Sequence, residues 1–369
     1  MVRRCALALA LIAAGAGCGD DPVAGPPEPR GPPAIGLIGR FERSGETATT
    51  AWPGGRIVVR FEGTAVSMKL SQVPPREGDV SESWFNVIVD GKVTRKLQIT
   101  EEDAVEEVAS GLSPGVHVVE LEKRTEANRG AVRLEEVTFP DNGRLLAPPV
   151  RKTRRIELVG DSTIDGFGAD GDARTCEGGT PAALDDVRKS VAHFVTSSLD
   201  AESHLIAYSG KGIARSEDGS SVRFADLYPR ALPDEPASTW DFASWIPDVV
   251  VIALGGGDVV DGEAPAGFRA RYDALLGTIR DKYPSAHVFM TVWSQIKDLP
   301  GARARSALRA ELDAVKAMHP TDARLHVFAW READYPTDET ACAEHANEAH
   351  GKETAAEIVP AIRAAVGWK

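Results

Sequence analysis

Apolar positions along this chain follow two different rhythms. From about residue 35 to 140 the rhythm has period two. Ile57-Val58-Val59-Arg60-Phe61 is followed by Glu62-Gly63, Ala65-Val66-Ser67-Met68-Lys69-Leu70 alternates, and Phe85-Asn86-Val87-Ile88-Val89 runs into Asp90-Gly91. Val116-His117-Val118-Val119-Glu120-Leu121-Glu122 and Val132-Arg133-Leu134-Glu135-Glu136-Val137 alternate again. Alternation turns one side of each segment toward a core, and Asp-Gly between apolar runs signals a hairpin. Several short strands with turns between them predict an all-β sandwich of jelly-roll type over 35–140. Trp52 and Trp84 in this part read as core aromatics or as sugar contacts.

Beyond a Pro-containing linker at 141–150 the rhythm changes. Near-continuous apolar runs at 155–161, 204–209, 248–255, 287–293 and 325–330 alternate with helix-period segments at about 184–199, 265–282, 302–318 and 347–366. Five apolar strands separated by helices predict a parallel five-stranded sheet covered on both faces, an α/β domain over 152–369.

Ligands of open α/β sheets sit just past the carboxyl ends of the strands. The first run ends in Gly160-Asp161-Ser162, the second in Ser209-Gly210-Lys211-Gly212, and the third in Gly255-Gly256-Gly257-Asp258; His345 precedes the last helix. Gly-Asp-Ser alone reads equally well as a turn in which Ser162 caps local structure. With two glycine-rich loops and a histidine converging on the same edge, the parts are those of acyl transfer: nucleophile, base and amides for an oxyanion. Trp293, ending the fourth run, lines such a pocket or packs in the core. His193, His204, His287 and His326 lie in periodic segments and read as structural, Asp165 and Asp170 as turn formers. His350 is five residues past His345, off its helical face, so no metal pair is expected.

These blocks carry a resemblance. "IELVGDSTIDGFGADG" at 156–171, "HLIAYSGKGIARS" at 204–216, "WIPDVVVIALGGGD" at 245–258 and "HANEAHGKETAAEIVP" at 345–360 resemble an SGNH (GDSL-type) hydrolase of flavodoxin-like fold. With "GLIGRF" at 36–41, "WFNVIVDG" at 84–91 and "GVHVVELEKRTEA" at 115–127, the stretch 35–369 is similar to carbohydrate esterase family two, a jelly roll followed by an SGNH domain. The resemblance implies Ser162 as nucleophile, His345 as base, and the amides of Ser162 and Gly210 as oxyanion donors, with Trp293 and Asp258 beside the substrate. It also matches Cys342 to a cysteine often found before the histidine. Two positions depart from the family. The asparagine of its third block, a further oxyanion donor, is replaced by Gly257, and the aspartate two residues before its histidine by Ala343. Asp338 and Glu344 are nearby in sequence but out of register.

Charge and cysteine usage narrow the setting. Among 369 residues, 42 Lys and Arg against 55 Asp and Glu give a net charge of −13, and no basic cluster exceeds Arg151-Lys152-Thr153-Arg154-Arg155, so nucleic acid is not an expected partner. Arg3 and Arg4, the apolar residues 6–14 and the small residues before Cys18 predict an export signal over 1–17. Cys18 resembles a lipoprotein's lipidated cysteine, though Gly15 stands where that motif carries Leu or Val; anchoring to the membrane through Cys18 and plain periplasmic or secreted export are both open. The Pro/Gly-rich segment 18–34 reads as a tether. Of the remaining cysteines, Cys176 and Cys342 are expected to form one disulfide outside the cytoplasm, the alternative being two buried thiols.

The leading expectation is an exported serine esterase that removes acetyl groups from a polysaccharide or glycan without cofactor or metal. The alternatives are a catalytically impaired glycan-binding surface lipoprotein, in view of Gly257 and Ala343, and a lipid or small-ester hydrolase by analogy of fold alone.

Overall fold

A computed structural model describes residues 31–369 apart from 33, 74–80, 101–103, 172–174, 177–180 and 333–339. The export signal, Cys18, most of the tether and Asp338 lie outside the described residues.

The first half folds as two five-stranded antiparallel sheets, with a short extra strand on one of them. One runs in the order Gly36–Ile38, Arg56–Gly63, Gly115–Lys123, Ser83–Val89, Lys92–Ile99; the other Glu42–Ser44, Thr47–Thr50, Ala131–Thr138, Val66–Val73, Ala104–Ala109. Ile57, Val59 and Phe61 of the first sheet share one core with Met68 and Leu70 of the second, all fully buried. Burying each such side chain contributes roughly 1.5–3 kcal/mol. Asp90 (φ +49°) and Gly91 (φ +78°) form the expected two-residue hairpin turn, with both residues left-handed as its mirror-image geometry requires. Lys92–Ile99 escaped the sequence pattern because its first five residues are all exposed. Within the linker, Arg144–Leu145 pairs with Phe61 and Glu62 and so extends the first sheet.

The second half is a parallel sheet in the order Glu202–Ala207, Arg155–Gly160, Val249–Ala253, His287–Val292, Leu325–Ala329. This is the flavodoxin-like order, as the resemblance implied. Val191–Ser198 and Glu348–Val366 cover one face; Phe268–Lys282 and Ala304–Met318 cover the other. The single helix expected at 184–199 is broken. Asp186 caps the amide of Arg188 (3.1 Å) and Ser190 that of His193 (3.2 Å), so the chain starts a 3-10 turn at Val187 and a new helix at Val191.

Buried polar contacts join the halves. Arg40 and Glu157, both fully buried, pair at 3.0 Å, and Tyr228 Oη donates to the same carboxylate at 2.5 Å. Arg124 bridges Asp186 and Asp170 (2.9 Å each). Asp170 is therefore an ion-pair node at the junction and not merely a turn former: burial alone would raise its carboxyl, but Lys189 and Lys96 beside it hold it down at about 2. Asp165 forms the expected turn, accepting from the Phe167 amide at 3.0 Å. Trp52 is core, packed into the α/β half.

Candidate active site

In a 2-1-3-4-5 sheet the chain reverses direction of winding between the first and third strands, which opens a crevice beyond their carboxyl ends. Both strands end there in glycine-rich sequence. Gly160 leaves Arg155–Gly160 with no side chain, because a Cβ would lie 2.5 Å from Ile164 Cδ1. Asp161 then caps one helical turn, Ser162–Asp165, accepting from the Thr163 amide (3.0 Å) and hydroxyl (2.8 Å). Burial pushes the Asp161 carboxyl up to about 6. Gly166 closes the turn at φ +88°, where a Cβ would strike the Asp186 carbonyl. Ser162 is thus held at the first position of a turn fixed at both ends.

His345 comes from the far end of the sequence. The turn before it holds Ala343 and Glu344 left-handed (φ +49° and +62°), a conformation that costs a non-glycine residue about 1–2 kcal/mol. Three contacts stabilise it. Cys342 is buried and disulfide-bonded to Cys176, the His345 amide donates to the Cys342 carbonyl (3.1 Å), and the Ala341 amide to the His345 carbonyl (2.7 Å). Gly168 passes so close that a Cβ there would lie 2.2 Å from Cys342 Cβ.

The imidazole lies against Phe167 (4.5 Å between centroids), with Nε2 2.8 Å from Ser162 Oγ and Nδ1 3.1 Å from the Ala343 carbonyl. A carbonyl only accepts, so Nδ1 carries the hydrogen and Nε2 is free to accept from serine. The carbonyl of Ala343 occupies the orienting role that a carboxylate side chain would otherwise fill. Burial lowers the His345 pKa below its usual value, while the Ala343 and Cys342 carbonyls and the charge of Glu217 oppose that shift.

Ser162, Gly210, Gly257 and Trp293 line one cavity of about 360 Å³, within the size range of small-molecule sites. Neither the Ser162 amide nor the Gly210 amide has an acceptor among the described residues. Gly210 is left-handed (φ +73°). A Cβ built on Gly257 meets only Glu217 Oε1, at 3.8 Å, so the space for a third donor is open. Trp293 is almost fully buried and donates to Gln295 Oε1 at 3.2 Å.

Asp258, expected beside the substrate, does not line this cavity. It is fully buried and its carboxylate accepts from the amides of Ile213 (2.8 Å), Ala214 (2.7 Å) and Arg215 (2.8 Å). It shapes the loop after Gly210, and Gly212 lets it approach, since a Cβ there would lie 2.5 Å from Asp258 Oδ2. Glu217, on the cavity wall, was missed by sequence reading. Nothing periodic marks it; its one signal is its place seven residues past Gly210 in a loop that folds back through the Lys211–Ser216 bridge. His193, His204, His287 and His326 all stand away from this cavity, the last two facing each other at 3.1 Å. His350 Nε2 meets Thr354 Oγ1 at 2.7 Å inside the last helix. No group of three or more metal-ligating side chains is placed to hold a metal among the described residues. No described helix is long and apolar enough to cross a membrane.

Residues 37–149 match the carbohydrate esterase 2 N-terminal family, and residues 158–351 match the GDSL-like lipase/acylhydrolase family. The cellulase/esterase CelE of Acetivibrio thermocellus is 33% identical over 263 residues, 70% of this chain but only 31% of that protein's length. An acetylxylan esterase/glucomannan deacetylase of Cellvibrio japonicus is 24% identical over 344 residues, 91% of this chain and 90% of that one. Among solved structures, a family two carbohydrate esterase from Clostridium thermocellum in complex with cellohexaose superposes with a TM-score of 0.82 at 28% identity, covering 91% of this chain and 100% of that one. The chain belongs to the GDSL-like lipase/acylhydrolase family, in the two-domain form of the family two carbohydrate esterases.

Proposed function

We propose that this chain is an exported serine esterase that removes acetyl groups from a polysaccharide. The observation that carries the reading is the pair Ser162 Oγ–His345 Nε2 at 2.8 Å, with Nδ1 tied to the Ala343 carbonyl. Ser162 Oγ attacks the acetyl carbonyl as its proton passes to His345 Nε2. The amides of Ser162 and Gly210 hold the oxyanion. On collapse the bond from the carbonyl carbon to the sugar oxygen breaks, and His345 returns the proton to that oxygen. Water, deprotonated by His345, then releases acetate from the acyl-serine. The acetyl group and the sugar are argued from the relatives.

Hydrolysis of 4-nitrophenyl acetate by the wild type beside Ser162→Ala tests the reaction. A Ser162-dependent rate is expected, and equal rates in both proteins overturn it. Acetate release from acetylated xylan and glucomannan then identifies the polymer. Export is part of the proposal, with Cys18 as lipid anchor; palmitate labelling that is lost in Cys18→Ala supports the anchor, and an unlabelled wild type means export without it. A second reading has one observation in its favour, the open space at Gly257 where the family carries a donor: a glycan-binding lipoprotein with weakened turnover.

A further inference from the structure

A second cleft, of about 580 Å³, lies between the β-sandwich and the edge of the α/β sheet, where the strand Glu202–Ala207 begins. Its wall carries one partly exposed ring, Trp240, backed by the buried rings of Phe41 from the sandwich, His204 from that strand and Trp245 from the loop before the third strand. The His204 ring stacks on Trp245 (3.6 Å, 8°) and stands edge-on to Trp240 (5.7 Å, 68°). The wall is fixed from behind. Trp245 Nε1 donates to Glu202 Oε1 at 2.6 Å, and Arg151 Nη2 donates to the same oxygen at 2.6 Å. The rim, by contrast, is exposed and polar: Glu42, Arg43, Thr239, Asp241 and Ser244.

His204 is only 2% exposed, and its Nδ1, itself without accessible surface, has no hydrogen-bond partner among the described residues, so it belongs to the backing of the wall. Burial and the nearby Arg40, Arg151 and Arg155 keep the imidazole neutral, well below its usual pKa. The charges narrow the occupant. Glu42 and Asp241 stand against Arg43, and Arg151 is committed to Glu202, so the cleft offers no cationic surplus to a phosphate or nucleotide. None of its lining residues is a large exposed hydrophobic, as a lipid or a docking helix would need. A partly exposed Trp240 ring with a mixed donor–acceptor rim suits a ligand with one C–H face and many hydroxyls.

We propose that this cleft is a second, non-catalytic binding site for a neutral sugar unit of a polysaccharide. The choice of a sugar rests partly on the esterase reading above. His204 lies in the strand Glu202–Ala207 and Gly210 three residues beyond its carboxyl end, and no residue lines both cavities, so the two sites are separate. Holding the polymer at the cleft raises its effective concentration at Ser162.

The test uses the full chain and three probes: cellohexaose, xylohexaose and mannohexaose. Gly257→Trp fills the catalytic cavity and abolishes binding there. Ala237→Trp, at an exposed cleft position, fills the second site. Isothermal titration of Gly257→Trp is expected to show saturable binding of at least one hexaose at millimolar concentration. Adding Ala237→Trp is expected to weaken that binding at least about tenfold. Ala237→Trp alone is expected to leave 4-nitrophenyl acetate hydrolysis unchanged. Glu42→Ala/Arg43→Ala, which alters only exposed rim residues, is expected to weaken binding in the same direction. Failure of Gly257→Trp to bind any of the three, or equal binding with and without Ala237→Trp, overturns the proposal. Loss of the esterase reading shows separately, as a Ser162-independent rate in the wild type.

Discussion

Gly257→Asn tests whether this site lacks one oxyanion donor or has replaced it. A single preorganised side-chain donor is worth about 10²–10³ in kcat, or ~2.7–4 kcal/mol of transition-state stabilisation. The backbone at Gly257 is not left-handed, and a Cβ there contacts nothing nearer than Glu217 Oε1 at 3.8 Å, so asparagine fits without displacing the chain. The same contact sets the size of the gain. The Glu217 carboxylate accepts from the side-chain amide that the substitution introduces, and a hydrogen bond to a charged group is worth about 1.5–3 kcal/mol, which offsets much of the donor's value. The expected gain is therefore about tenfold in kcat for Gly257→Asn alone. In a Glu217→Ala background, where the competing acceptor is gone, the gain approaches ~10². It falls on kcat more than on KM, because the oxyanion exists only along the reaction path. The assay is steady-state hydrolysis of 4-nitrophenyl acetate by the four proteins of the cycle, with melting curves to show that each is folded. A folded Gly257→Asn that gains nothing in either background refutes the reasoning, and some other group then fills the third position.

The remaining predictions concern the parts that hold the site. His345 must be neutral to accept the serine proton, and burial lowers its pKa, so the acid limb of kcat/KM is expected to have its midpoint below 6.5; Glu217→Gln removes a charge that raises this pKa and shifts the midpoint further toward acid. A midpoint above 6.5, or an alkaline shift in Glu217→Gln, contradicts this. Mass spectrometry without reductant is expected to show Cys176 joined to Cys342, and reduction to destabilise the fold by about 2–5 kcal/mol and lower kcat, since Cys342 carries the turn before His345; two free thiols in the native protein count against it. Asp258→Ala leaves three backbone amides without their acceptor and is expected to destabilise by roughly 2–4 kcal/mol in thermal or denaturant unfolding, a change below about 1 kcal/mol showing that the loop does not depend on it.

Most of the fold was legible because burial writes itself into periodicity. The five strands of the parallel sheet lie on near-continuous apolar runs, since helices cover both faces, and each is within two or three residues of its expected place. Strands with an exposed face were harder: Lys92–Ile99 carries no alternation because only its last residues meet the core. That Ser162, Gly210 and His345 come together was legible for a different reason. Each sits where a strand ends or a helix begins, and the backbone there needs glycine or a cap.

What stayed hidden is chemistry done by the main chain and by side chains chosen through space. Residue 343 reads as the loss of a carboxylate, yet the geometry keeps the function, because a left-handed backbone at Ala343 turns its carbonyl onto Nδ1. No side-chain identity encodes that. It depends on Cys342 being pinned to Cys176 from 166 residues away, a coupling that sequence reading could see only as a pair of cysteines. Asp258 runs in the opposite sense. It was expected beside the substrate, but three amides of the neighbouring loop claim the carboxylate first, and a carboxylate already accepting three hydrogen bonds inside the protein has little left for a ligand. At the third position, a Cβ built on Gly257 meets only Glu217 Oε1 among the described residues. The charge standing across that opening belongs to Glu217, which repels the oxyanion that an amide would attract. The two departures from the family are therefore unequal: at Ala343 a backbone carbonyl meets Nδ1, and at Gly257 the fold leaves open space facing a carboxylate.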